Sequence, residues 1–329
     1  MSQTSTVKTR ILIISDTHNA ALAPSTNHDV AFREPLPKAD VLLHCGDLTG
    51  LGFLEEHEQA LDMLGRIDAD LKLVIAGNHD ISLDQKHYTR RGQDWHGFDD
   101  PDQTYAARAK ELWQGEKAKA AGVTYLEEGT HCFVLKNGAR LRVYASPYQP
   151  EFGDMAFQYA DNQDRFNPKD QSTPDSQSIV ENPVPDFPAV DVMMTHGPPL
   201  GILDDVGRAH AGCEHLLRAA RRCKPKLHCF GHIHEGWGAR RVKWKEGDNF
   251  YIPWKYHVER YESVKVDHER MKADRAAFVD ISQDGEEALV WGRETLMVNA
   301  SIMTVEYRPH QGPWIVDMDL DKATNNAQS

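Results

Sequence analysis

The stretch Cys229-Phe230-Gly231-His232-Ile233-His234 decides how this chain is organised. It follows the apolar Leu227 and ends in two histidines that are separated by one residue. In an extended or tightly turning segment, alternate side chains can be aimed at neighbouring points. Each of these imidazoles is therefore able to bind its own metal ion.

Four earlier segments also run from apolar residues into Asp, Asn or His. Together with the first stretch they predict five buried strands, at residues 11–14, 41–45, 71–76, 191–195 and 226–230. An amphipathic helix is predicted at 53–66, between the second and third strands. This strand–helix–strand order is typical of a parallel sheet.

The remaining segments predict a second sheet and one domain. Asn137-Gly138 between two apolar runs indicates a hairpin, so this sheet is expected to be partly antiparallel. Helices are predicted at 106–121 and 213–220, surface loops at 84–106 and 161–188, and final strands at 295–305 and 314–320. We expect a disordered lead-in at 1–9, a single domain at 10–321 with a charged, irregular edge insertion at about 239–290, and a polar tail at 322–329.

Composition restricts the classes of function. The chain has 329 residues and a formal net charge of −13, which argues against a non-specific grip on long nucleic acid. No apolar run is long enough to span a membrane, and residues 1–10 contain no signal-peptide core, so we expect a cytoplasmic protein. The five scattered cysteines predict reduced thiols rather than disulfides.

Polar side chains that follow the strands are candidate metal ligands. In α/β sheets, ligands collect at the carboxyl ends of the strands. Donors of mixed N and O type suit Mn, Fe or Zn better than Ca or Mg. Seven donors exceed the need of one four-coordinate ion, so two ions that share a carboxylate account for the number better. The seven candidates are Asp16, His18, Asp47, Asn78, His196, His232 and His234.

Three further residues are candidates for substrate chemistry. His79 follows Asn78 directly and is suited to bind a phosphate oxygen or to protonate a leaving oxygen. Asp80 is expected to hold the other nitrogen of His79. His210 is a candidate for facing the substrate.

The motifs resemble those of calcineurin-like metallophosphoesterases, in the order of that family. The similar blocks are Asp16-Thr17-His18, Gly46-Asp47, Gly77-Asn78-His79-Asp80, Thr195-His196-Gly197 and Gly231-His232-Ile233-His234. Val298-Asn299-Ala300-Ser301 and residues 225–236 resemble the metallophosphoesterase-domain-containing subgroup, which is related to class III cyclic-nucleotide phosphodiesterases.

This resemblance implies an α/β (mixed α+β) fold, namely a four-layer αββα sandwich with two mixed β-sheets. It implies that Asp16, His18 and His234 hold a first metal and that Asp47 bridges to a second. Asn78, His196 and His232 would hold the second metal, and Asn78 and His79 would contact substrate. The two ions are expected to be divalent or transition metals, among Mn, Fe, Zn, Ni and Mg.

The expected activity is hydrolysis of small phosphodiesters, such as cyclic nucleotides, by attack of a metal-bridging hydroxide. Alternatives are a protein or phosphomonoester phosphatase or a nuclease of the same superfamily, and a metal-binding regulatory scaffold with weak activity. The sequence leaves open the identity of the metals, the physiological substrate, the oligomeric state and the role of the 239–290 insertion.

Two basic segments have more than one interpretation. The cluster at 218–226 predicts a solvated helix face. Basic and aromatic residues alternate at 237–245, which fits either packed structure or a nucleotide-binding surface. Cys45 does not belong to a cysteine-phosphatase loop, because position 51 is Leu where that loop needs Arg.

Overall fold

The computed structural model describes residues 5–247 and 251–324, which contain seventeen strands and six α-helices. The strands are β1 (Thr6–Ile14), β2 (Ala39–His44), β3 (Ala69–Val74), β4 (Val123–Tyr125), β5 (Gly129–Val134), β6 (Arg140–Ser146), β7 (Gln149–Pro150), β8 (Gln158–Tyr159), β9 (Gln163–Asp164), β10 (Gln177–Ser178), β11 (Val192–Thr195), β12 (Leu227–Phe230), β13 (Gly238–Trp244), β14 (Val258–Ser263), β15 (Ala277–Asp280), β16 (Glu294–Asn299) and β17 (Trp314–Asp321). The helices are α1 (Leu54–Gly65), α2 (Gln85–His96), α3 (Tyr105–Gln114), α4 (Glu116–Ala120), α5 (Glu214–Cys223) and α6 (His268–Asp274).

The strands build two large mixed sheets. The first has the order β15-β17-β1-β2-β3-β4, and only the β17–β1 pair in it is antiparallel. The second has the order β14-β13-β16-β12-β11-β6-β5, with a parallel centre from β16 to β6. Strands β1, β2 and β3 therefore end at one edge of the first sheet, and β11 and β12 end at one edge of the second.

The alternation of side chains along the strands explains the layers. On β1, Ile11 and Ile13 point into a core that is shared with residues of the second sheet such as Val143 and Val192. Leu12 and Ile14 point the other way and pack against α1 and α3. On the second sheet, the outward-facing side chains pack against α5. The layers are helix, sheet, sheet and helix, so the predicted αββα sandwich is confirmed.

Some predicted boundaries are wrong. Residues 6–9 belong to β1 and pair with β17, so the expected lead-in cannot reach residue 9. The loop predicted at 84–106 contains α2, which runs from Gln85 to His96 between Asp84 and Gly97. Residues 322–324 continue the structure beyond β17, and Lys322 pairs with Ala139. Residues 1–4 and 325–329 of the predicted lead-in and tail lie outside the described residues.

The segment 239–290 is not the irregular insertion at one edge that its charges predicted. It supplies β13 and β14 to the second sheet and β15 to the first. Strand β13 pairs along its length with β16 and buries Ala239, Val242 and Trp244. The segment therefore completes an edge of both sheets. Among the described residues, no helix combines the length and the apolar character needed to cross a bilayer.

Candidate metal centre

All seven predicted donors lie together at the carboxyl ends of five strands. Asp16 and His18 follow β1, Asp47 follows β2, and Asn78 follows β3. His196 follows β11, and His232 and His234 follow β12. Within the second sheet, the amide of Gly231 donates to the carbonyl of His196 at 3.0 Å. Across the sandwich, the amide of His232 donates to Oδ1 of Asp16 at 2.9 Å.

One group consists of Asp16, His18 and His234, whose donor atoms all lie within 4.8 Å of one another. Nε2 of His234 lies 3.4 Å from Nε2 of His18 and 3.5 Å from Oδ1 of Asp16. Two imidazoles and a carboxylate in this arrangement can hold a transition metal ion.

A second group converges on the amide of Asn78. Its Oδ1 lies 2.9 Å from Nε2 of His196 and 2.8 Å from Nδ1 of His232. Asp47 also belongs to this group, since its Oδ1 is 3.5 Å from Nε2 of His196. The other carboxylate oxygen of Asp47, Oδ2, is 3.6 Å from Nε2 of His18 in the first group. Asp47 therefore faces both groups at once.

Backbone carbonyls fix the orientation of the rings. Nδ1 of His18, His196 and His234 donates to the carbonyls of Thr49, Cys45 and Thr304 at 3.2, 2.9 and 3.1 Å. A carbonyl only accepts, so each of these Nδ1 atoms carries a proton, and each Nε2 is the ring atom that faces the site. Metal-bound histidines usually have this kind of support. The residues present therefore fit a pair of metal ions.

Burial controls protonation in the cluster. It lowers the pKa of His18 to about 4, against the opposing charge of Asp47, and lowers the pKa of His232 to about 3. Burial opposes the ionised form of Asp16, yet the bond with His234 and the nearby imidazoles hold its pKa below the usual range. His18 and His232 are thus neutral at pH 7, the form that binds a metal.

The backbone of the centre is strained. Asp16, His18, Asp47 and His232 have φ of 51°, 41°, 52° and 67°. Each non-glycine residue in this left-handed region costs of order 1–3 kcal/mol, and such residues cluster at functional sites. The tight turns directly after the strands are what aim these side chains at one point.

The structure places the two predicted catalytic residues, His79 and Asp80, in different surroundings. His79 lines the cavity, and its Nδ1 donates to the carbonyl of Gly50 at 2.7 Å. The prediction that Asp80 holds this nitrogen is therefore wrong. Asp80 is fully buried and accepts bonds from the amides of Leu48, Thr49 and Gly77 instead, because its side chain turns away from the cavity into the loops after β2 and β3.

A cavity of about 740 Å³ opens over the cluster. Asp47, Asn78, His79, His232 and His234 line it, and so does His210. Nδ1 of His210 lies 2.8 Å from Oδ1 of Asp204, and Oδ2 of the same carboxylate accepts from the amides of Gly201 and Gly212. The position of His210 in this wall is compatible with its predicted contact to substrate.

Sequence reasoning missed Tyr307, which also lines the cavity. Its ring centroid lies 5.0 Å from that of His18 and 5.1 Å from that of His234. It belongs to the connection between β16 and β17, where no pattern in the sequence marks a functional residue. The packing of the two sheets against each other brings this connection next to the histidines.

The basic segments are structural. Arg218, Arg221 and Arg222 are buried, so the predicted solvated face is wrong. In the second segment, Arg241 and Lys243 pair with Glu294 and Glu259. None of the residues at 237–245 lines the cavity over the metal centre. Trp244 and Lys245 instead line a separate cavity of about 620 Å³, together with Arg221 and Arg222, so the nucleotide-binding surface stays a prediction.

The sequence that forms this centre matches the model of a known protein family. Residues 9–236 match the model described as calcineurin-like phosphoesterase. The chain belongs to this family. Its members are metal-dependent phosphoester hydrolases, and the matched residues include every donor of the candidate centre.

The chain is similar to other known proteins to different extents. The chain is 33% identical to metallophosphoesterase domain-containing protein 1 of Homo sapiens over 264 residues, which is 78% of this chain and 68% of that protein. It is 32% identical to the probable rhamnogalacturonate lyase C of Emericella nidulans over 71% of this chain but 18% of that protein. Phosphopantetheinyl hydrolase from Mycobacterium tuberculosis has a TM-score of 0.38 at 17% identity, covering 68% of this chain and 82% of its own.

Proposed function

We propose that this calcineurin-like phosphoesterase is a dinuclear-metal phosphodiesterase that hydrolyses small diesters such as cyclic nucleotides. The observation that carries the proposal is the position of Asp47, whose two carboxylate oxygens face His18 on one side and His196 on the other. Asp16, His18 and His234 would hold one ion, and Asn78, His196 and His232 the other, with Asp47 between them.

Two ions at this site would neutralise charge on the phosphoryl group and lower the pKa of a bound water. The histidine-rich donor set favours first-row transition metals such as Mn, Fe, Zn or Ni over Mg. The chain's own residues hold these donors in place before substrate arrives, through the carbonyls of Cys45, Thr49 and Thr304. Such preorganisation lowers the cost of reaching the transition state.

His79 would act on the substrate rather than on the metals. Because its Nδ1–H donates to the carbonyl of Gly50, Nε2 is the ring atom left for substrate. When protonated, Nε2 can donate to a phosphoryl oxygen or pass its proton to the leaving oxygen. Asn78 beside it lines the same cavity, and His210 on the opposite loop would contact the organic part of the substrate.

The direct test is metal-dependent hydrolysis of bis(4-nitrophenyl) phosphate, compared with the monoester 4-nitrophenyl phosphate. Protein stripped by a chelator receives Mn, Fe, Zn, Ni or Mg one at a time, and bound metal is measured by mass spectrometry. We expect two ions per chain and a higher kcat/KM for the diester. Two bound ions without hydrolysis of either ester would contradict the proposal and favour a regulatory scaffold.

A further inference from the structure

The cavity over the metal centre has an apolar rim, which consists of Phe152, Val206, Val305 and Tyr307. All four line the cavity, yet they are 79%, 40%, 51% and 54% exposed. They come from three separate connections, between β7 and β8, between β11 and α5, and between β16 and β17. Exposed apolar side chains that surround a polar pocket usually mark a surface that a ligand covers.

Tyr307 places an aromatic ring of the rim beside the candidate metal ligands. Its ring centroid lies 5.0 Å from His18, 5.1 Å from His234 and 6.2 Å from His79. Its amide donates to the carbonyl of Thr304 at 2.9 Å, and the same carbonyl accepts the Nδ1–H of His234. The turn that carries Tyr307 is thus tied directly to a candidate metal ligand.

The backbone of Tyr307 supports a role for its ring. Its φ is 54°, a left-handed value that is an outlier for a bulky side chain. A conformation of this cost persists only where the surroundings impose it, and here it holds a half-exposed aromatic ring beside two of the donors. The ring can therefore stack on a group that extends from a phosphate at the centre.

The charge of the cavity restricts what that group can be. Four exposed carboxylates line the cavity, those of Glu151, Asp161, Glu214 and Glu235. Among the described residues that line it, none is Lys or Arg. An anionic group beyond the reacting phosphate would therefore meet the repulsion of these carboxylates and find no basic side chain among the described lining residues.

We propose that the apolar rim is the subsite for the organic part of the diester, that this part is aromatic or apolar without negative charge, and that Tyr307 is the residue on which it stacks. This inference rests on the phosphodiesterase function proposed above. A cyclic nucleoside monophosphate satisfies both conditions, since its base is neutral and aromatic. A nucleoside diphosphate, an acidic phosphopeptide or a nucleic acid strand does not.

Three diesters with one leaving group test the inference. They are 4-nitrophenyl phosphates whose second ester arm is methyl, phenyl or 4-carboxyphenyl, and all release the same chromophore. With the metal-loaded enzyme we expect a clear preference for phenyl over methyl, and a lower kcat/KM for 4-carboxyphenyl than for phenyl. Because exposed charges are screened by salt, this second difference should shrink between 0.02 and 0.5 M NaCl.

Variants assign the preference to Tyr307. Tyr307→Ala should reduce the phenyl-to-methyl ratio of kcat/KM about tenfold, the order found for removal of a stacking aromatic. Tyr307→Phe should keep the ratio, because the ring remains. Tyr261→Ala is the matched control, a 53% exposed tyrosine on edge strand β14 that does not line the cavity. Bound metal is measured for every variant, so that loss of an ion is not mistaken for loss of the subsite.

The experiment distinguishes a wrong function, a wrong subsite and a wrong charge preference by different results. If none of the three diesters is hydrolysed with any metal, the phosphodiesterase function itself is overturned. If all are hydrolysed and Tyr307→Ala leaves the phenyl-to-methyl ratio unchanged at full metal content, the function stands and the subsite is wrong. Equal kcat/KM for the phenyl and 4-carboxyphenyl diesters at low salt overturns the exclusion of anionic groups.

Discussion

At the scale of single residues, Asp47 links the two halves of the centre, because its carboxylate oxygens face His18 and His196. We therefore expect Asp47→Asn to lose both ions together and to reduce hydrolysis to background. The measurement is bound metal per chain beside diester turnover. Asp70→Asn, at a surface carboxylate paired with Lys136, is the control. Retention of one full equivalent of metal by Asp47→Asn would show that the carboxylate serves a single ion.

His79 and Asp80 are neighbours in sequence with different expected roles. His79→Ala should lower kcat by about 10²–10⁴ at unchanged metal content, the usual range for loss of a general acid or base. Asp80→Ala should instead lower the melting temperature and the metal content, because it leaves the buried amides of Leu48, Thr49 and Gly77 without a hydrogen-bond acceptor. A His79→Ala protein without metal would contradict this division of roles.

The individual donors were predictable, whereas the residues that act through distant contacts were not. Each donor follows an apolar run within a few residues, and this local pattern marks the end of a buried strand. The partner of the His79 ring depends instead on how the loop after β2 turns, and that loop presents the carbonyl of Gly50 rather than the carboxylate of Asp80. Tyr307 depends on an even longer connection, between β16 and β17.

At the scale of elements, hydrophobic periodicity predicted the strands with two buried faces and failed for β13, which lies next to the edge strand β14. Strand β13 carries Arg240, Arg241 and Lys243 between its buried residues, so its charge concealed a strand that pairs with β16. Helix α2 was also missed, because its interior is polar. Both ends carry residues that are typical helix caps. Asp84 accepts from the amide of His87 at the start, and Gly97 follows the end in the left-handed region.

The approach of β12 to β1 leaves no room for a side chain at Gly231. A Cβ built there would overlap Oδ2 of Asp16 and Oγ of Ser15. We expect Gly231→Ala to push the loop that carries His232 and His234 away from the first sheet, and so to lower metal affinity at least tenfold, the size seen when the support of a ligand is lost. Gly153→Ala, with open space around its Cβ but a φ of 67°, controls for the loss of a glycine on a loop. Titration with Mn or Zn measures the affinity, and an unchanged affinity would show that the two strands separate easily.

At the scale of the whole molecule, buried histidines outside the donor set make stability depend on pH. Burial lowers the pKa of His44, His57 and His228 to about 3 each. Above pH 6.5 these groups are neutral in both states, but below it the unfolded chain takes up protons that the folded chain does not. Each group then costs about 1.4 kcal/mol of stability per pH unit until its folded pKa is reached. Urea unfolding at pH 7.5 and 5.0 should show the loss. His57→Gln should make it smaller by about 2 kcal/mol, and an unchanged pH dependence would place His57 outside this effect.

The metal centre also joins the two sheets of the sandwich. Asp16 and His18 follow a strand of the first sheet while His234 follows a strand of the second, and Asn78 faces His196 and His232 in the same way. An ion in either group therefore ties one sheet to the other.

Each ion at a hundred times its Kd would stabilise the fold by about 2.7 kcal/mol, if it binds the unfolded chain negligibly. We expect chelation to lower the melting temperature by roughly 10 °C for two ions. The melting temperature of Asp47→Asn should hardly respond to chelator, because this variant has no ions to lose. If chelation removes two ions from the unmodified protein and its melting temperature stays constant, the sheets are held together by the shared apolar core alone.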